Sequence, residues 1–64
     1  MIEPIVFDSE RKAMYQAWYR SVIYNKCFFY VLFNMSAGKY FVDTYMGYSD
    51  EKLIATFYNG ELQD

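Results

Sequence analysis

Residues 48–64, YSDEKLIATFYNGELQD, decide the architecture of this chain, because they satisfy two periodicities at once. Read as a helix over about 50–58, they have Ser49 as cap, Asp50 and Glu51 in the first turn, and Gly60 as terminator. Leu53, Ile54, Phe57 and Tyr58 would then share one face. Read as a strand over 52–58, Leu53, Ala55 and Phe57 alternate with Ile54, Thr56 and Tyr58. The cap and the acidic first turn favour the helix, with a third meander strand as its rival.

Immediately upstream, CFFYVLFNMSAGKYFVDTYMGY (27–48) is rich in aromatic and β-branched residues and is broken once by MSAG. That pattern predicts an antiparallel hairpin with strands over about 26–34 and 39–47. A loop over 35–38 sets Val31 opposite Val42 and Phe33 opposite Tyr40. One face then carries Cys27, Phe29, Val31, Phe33, Tyr40, Val42, Thr44 and Met46. The other carries Phe28, Tyr30, Leu32, Phe41 and Tyr45, interrupted by Asn34, Lys39 and Asp43. Before the hairpin, DSERKAMYQAWYRSVIYN turns helical, and a helix is expected over about 9–24 with Asp8 or Ser9 as cap. Its predicted inward stripe is Met14, Trp18 and Val22, widened by Tyr15 and Tyr19, with Gln16, Arg20 and Tyr24 opposite. Pro4 confines IEPIVF to an edge strand over 5–7 or to no sheet at all. The expected fold class is α+β in a single domain, 1–64: N-terminal helix, hairpin, short C-terminal helix and edge strand.

A chain of 64 residues buries only about 60% of its unfolded surface. Such domains usually add disulfides, a metal or a second copy. The single cysteine, Cys27, cannot form an intrachain bridge, and there is no histidine to join it at a zinc site. A homodimer is therefore expected, with Phe28, Tyr30, Leu32, Phe41 and Tyr45 as its interface. The formal net charge is −2 and the six basic residues are scattered, which argues against nucleic acid as a partner. The apolar run CFFYVLF is far shorter than the roughly 20 residues a membrane-spanning helix needs. With no signal-peptide pattern at the N-terminus, the expected location is cytoplasmic, without a membrane partner.

Catalytic chemistry has little to work with. Histidine is absent, Cys27 has no base to activate it, and Asp43 is the one carboxylate set within an aromatic strand. SAGK at 36–39 lacks the glycine spacing and trailing Ser or Thr of a phosphate loop. No enzyme, cofactor or metal is expected. Eight tyrosines, six phenylalanines and one tryptophan exceed what so small a core encloses, so part of this surface is expected to bind protein. The alternatives are a small-ligand or nucleotide-binding oligomer with an aromatic-lined pocket, and a structural self-assembling subunit.

One stretch carries a resemblance. YVLFNMSAGKYFVDTYMGYSDEKLIATFYNG (30–60) resembles the central part of the small phage-encoded uracil-DNA glycosylase inhibitors. The shared features are a strand, a turn ending in Gly38-Lys39, a tyrosine-rich strand closing in Gly47, a Ser49-Asp50 helix start and a Tyr58-Asn59-Gly60 ending. The resemblance implies a host-cell inhibitor that acts as a dimer, imitates the DNA backbone with acidic side chains and captures an apolar enzyme residue in a hydrophobic pocket. Carried over by position, Asp43, Asp50 and Glu51 are the phosphate mimics, and Leu53 or Ile54, Phe57 and Tyr58 line the pocket.

Overall fold

The computed structural model describes residues 5–45 and 49–63. Its elements are β1 (Ile5–Phe7), α1 (Glu10–Ile23), β2 (Phe28–Asn34), β3 (Lys39–Asp43), β4 (Glu51–Tyr58) and β5 (Glu61–Gln63). The strands form one antiparallel sheet in the order β1-β3-β2-β4-β5, and α1 packs on one face of it. The α+β class, the edge strand at 5–7 and the N-terminal helix all stand. The hairpin also has the expected register, with Val31 opposite Val42 and Phe33 opposite Tyr40. The second strand ends at Asp43, and Met46 and Gly47 lie outside the described residues.

The expected helix over 50–58 is instead a strand, and Ser49-Asp50 leads into it. Two physical demands override the local helix signals. Without β4, the central strand β2 would leave one row of backbone groups unpaired inside an apolar chain. With it, β2 is paired on both sides, and Met35 N–H donates to the Asp50 carbonyl at 3.0 Å to close the corner. The second demand lies in Tyr58-Asn59-Gly60-Glu61. Asn59 and Gly60 both have positive φ, 51° and 76°, the signature of a two-residue type I′ hairpin turn. Gly60 therefore does not terminate a helix. It reverses the chain into β5, a strand the sequence reading lacks.

Between Val31 and Leu32 the β2–β4 pairing shifts: Val31 faces Ala55, but Leu32 faces Leu53. Ile54 is the extra residue of a bulge, which breaks the alternation along β4. Ile54 and Ala55 both pack toward the core, and Leu53 moves to the face away from the helix. The core itself is Ala13, Ala17, Phe29, Val31, Val42, Ala55 and Phe57.

The helix sits rotated by about one residue from its expected setting. Its buried side is Ala13, Ala17 and Ser21; Trp18 and Val22 are exposed and Met14 lies at the margin. Large rings from the sheet already fill the interlayer space, so only small helical side chains fit opposite them. Ser21 then completes the seat. Its hydroxyl donates to the Trp18 carbonyl at 2.7 Å and accepts from the Gly60 N–H at 2.9 Å. At the other end, the Ser9 side chain accepts from Lys12 N–H to cap the helix, and Asp8 pairs with Lys39 at the start of β3.

Two measurements check this account. A Cβ at Gly60 would lie 2.9 Å from Val22 Cγ2, while one at Gly38 meets nothing within 4 Å. Both glycines have positive φ. Gly60→Ala should therefore cost about 2–4 kcal/mol, adding overpacking to backbone strain, and Gly38→Ala about 1–2 kcal/mol. Urea denaturation of the two variants reads the difference. The Lys39 hydrogen bond and charge hold Asp8 below its ordinary 3.8. That contribution to stability is present above pH 3.8 and is lost as pH falls through the lower folded value. NMR titration should place the Asp8 midpoint below 3.8 and return it toward that value in Lys39→Met.

Candidate functional site

The face of the sheet away from α1 is assembled from rows of paired residues. Val6, Phe41, Leu32 and Leu53 form one row across β1, β3, β2 and β4. Asp43, Tyr30, Thr56 and Gln63 form the next, and Phe28, Tyr58 and Glu61 the third. Glu51 stands opposite Asn34 at the start of β4. Within this face the Phe28 ring lies 4.5 Å from Tyr58 and stacks at 6.4 Å on Tyr30. Phe28 is 45% and Leu53 44% exposed.

These positions divide the expected site residues into two groups. Leu53, Tyr58 and Glu51 share the helix-free face, and Asp50 adjoins it at the corner, its side chain half-buried and 3.5 Å from the Asn34 amide nitrogen. Phe57 and Ile54 do not join them. Phe57 is buried under the helix, and Ile54 packs against the same core. The pocket that a helix over 50–58 would have built from Leu53 or Ile54, Phe57 and Tyr58 is thus split between the two faces of a strand, whose alternation places neighbours on opposite sides.

Asp43 is also accounted for locally. It is buried, and its Oδ1 accepts the backbone N–H of Thr44 at 2.7 Å and of Tyr45 at 3.3 Å. A carboxylate committed to its own following turn is a poor phosphate mimic, because binding would have to strip those two donors. Glu51 is different: its Oε1 is shielded from solvent and has no hydrogen-bond donor among the described residues.

Of the expected dimer set, Phe28 and Tyr45 are exposed, and Tyr30 and Phe41 are half-buried. Leu32 is only 2% exposed within the single chain, so it has no apolar area left to offer a second copy. The surface that sequence reading missed lies across the molecule, where Tyr15, Trp18, Tyr19, Val22 and Ile23 line the outside of α1. Its signal was present as a second four-residue series, Ala13-Ala17-Ser21, one position before the bulky one. Side-chain size alone pointed to the wrong series.

Among the described residues no group of acidic, cysteine or histidine side chains is arranged to hold a metal ion, and no helix is long and apolar enough to cross a membrane. Comparison with known protein families, curated proteins and solved structures finds no match to this chain.

The local role of Asp43 gives a clean test. Asp43→Ala should lower stability by about 1–3 kcal/mol by orphaning backbone donors. Asp43→Asn, which keeps an acceptor oxygen, should lose less than half of that. Urea midpoints of the two variants decide between this role and one in partner binding.

Proposed function

We propose that this chain is a non-enzymatic protein-binding domain that inhibits a DNA-processing enzyme by occupying its cationic nucleic-acid groove. The observation that carries the reading is the helix-free face of the sheet. It joins the exposed apolar anchors Leu53 and Phe28 and the half-buried Tyr58 to the carboxylates of Glu51 and Glu61 at opposite ends of β4 and its turn, with Asp50 at the corner. A rigid sheet presenting apolar contacts between separated negative charges has the two properties such a groove selects: shape that excludes water and complementary potential. The acidic mimicry implied by the uracil-DNA glycosylase inhibitor resemblance is thereby moved from a helix to a strand. Phosphate imitation falls to Asp50, Glu51 and Glu61, and Asp43 is released from it.

That resemblance makes uracil-DNA glycosylase the first enzyme to assay, and a cytoplasmic, phage-encoded inhibitor the setting it supports. The purified chain is added in excess to excision from a uracil-containing oligonucleotide. Excision should fall in proportion to added protein, and raising the salt concentration should weaken the effect. Leu53→Glu and the pair Glu51→Lys, Glu61→Lys should each raise the half-inhibitory concentration at least about tenfold. Undiminished excision at excess protein rejects this enzyme. Inhibition that ignores both sets of changes rejects the face.

A further inference from the structure

The outside of α1 takes no part in the core, and it lies on the far side of the molecule from the face proposed for the enzyme. Tyr15, Trp18, Tyr19 and Val22 follow i, i+3, i+4, i+7 spacing there, and all are exposed, Tyr15 by 59%. The rings form a preassembled ridge: Tyr15 lies 5.9 Å from Trp18 and stacks on Tyr19 at 6.3 Å with planes 10° apart. The β4–β5 turn buttresses one flank, where Gly60 meets Val22 and Trp18. Leu62, exposed and on the helix side of the sheet opposite Phe57, extends the apolar surface.

We propose that this ridge is the interface with a second copy of the chain, the two helices packing antiparallel about a two-fold axis. Area supports that occupant. Three rings about half exposed offer roughly 300 Å², and Val22, Ile23 and Leu62 add roughly 200 Å². Two copies would thus bury about 1,000 Å² in all, the lower bound of a specific interface. The spacing supports it as well, since an i, i+3, i+4, i+7 stripe is the seam that packs against its own copy in helix pairs. The chain has reason to associate, because three of the eight buried hydrophobic residues among those described are alanines and a chain this short gains stability from a partner.

The helix dipole selects the orientation. At the N-terminal end of the ridge the exposed Arg11 and Lys12 are balanced by Asp8 and Glu10, and the last turn carries Arg20, half-buried away from the ridge. With the side-chain charges near balance, antiparallel packing sets the partly positive N-terminal end of each helix, Arg11 included, beside the partly negative carbonyls at the C-terminal turn of the other. The dimer seam is thus placed on the helix and not on the sheet face of Phe28, Tyr30, Leu32, Phe41 and Tyr45, where the sequence pattern puts it.

The intact chain tests this by sedimentation velocity between roughly 1 μM and 1 mM, the range expected for an interface of this size. The mass should rise from 7.7 kDa to twice that value and stop. Emission from Trp18, the only tryptophan, should shift to the blue over the same range. Tyr15→Glu and Tyr19→Glu should each stay monomeric throughout with an unchanged far-ultraviolet circular dichroism spectrum. Arg11→Glu should weaken association roughly two- to fivefold. Leu53→Glu, on the opposite face, should dimerise as the parent does. A monomer at every concentration, a dimer that survives both tyrosine changes, loss of the dimer in Leu53→Glu, or growth beyond two copies each overturns the proposal. None of these readings uses the enzyme, so the dimer and the inhibitory function fail separately.

Discussion

The close seat of α1 on the sheet is the constraint from which the rest of the molecule follows. It is made by three small residues at four-residue spacing, Ala13, Ala17 and Ser21, all inaccessible to solvent. Small side chains let the helix axis approach the rings of Phe29 and Phe57, and dispersion contacts gain from that approach. Ser21 adds direction to proximity. A hydroxyl that donates to its own helix and accepts from Gly60 fixes where the β4–β5 turn lies along α1. The turn in turn fixes β5, and a larger residue at position 21 would displace both. Trp18 and the tyrosines are outside because this seat has no room for them.

How much of this was legible depended on whether local and tertiary forces agreed. They agreed in the hairpin, where a loop over 35–38 and two aromatic strands permit one register that puts apolar side chains on a common face. Asn34 reinforces it, accepting the Ala37 N–H on its side chain and the Gly38 N–H on its carbonyl, both at 2.8 Å. They agreed again at Ser9, which caps the helix. They disagreed at 50–58. Ser49, Asp50 and Glu51 are good helix-start residues, but no local signal conveys that β2 has an unpaired edge to fill. The Asn59-Gly60 pair signals something else, the hairpin from β4 into β5, because a type I′ turn accepts these residues more readily than most. Periodicity also erred in α1, where two series of equal spacing competed and volume was taken for burial.

For the candidate site, placement was legible only in part: Leu53, Tyr58 and Glu51 near β4 lie on one outward face. The residues that left the set, Phe57, Ile54 and Asp43, did so for reasons invisible in one dimension. Phe57 and Ile54 were removed by strand alternation and a bulge, Asp43 by two backbone donors that follow it directly.

The change from helix to strand also changes what the acidic residues can do. At a helix N-terminus, Asp50 and Glu51 would face the partial positive charge of unpaired N–H groups, and much of their field would be spent within the molecule. A strand has no such terminus, since its dipoles alternate and nearly cancel. Glu51 and Glu61 therefore keep their charge for the surroundings, separated by the length of β4 and its turn, with Leu53 and Tyr58 between them on the same face. The bulge at Ile54 completes the arrangement. In unbroken alternation Ile54 would face outward, while Leu53 and Glu51 would turn toward the helix with Ala55 and Phe57, and the outward face would lose the carboxylate at this end of β4. An irregularity in one strand thus sets Leu53 and Glu51 together on the surface proposed to bind.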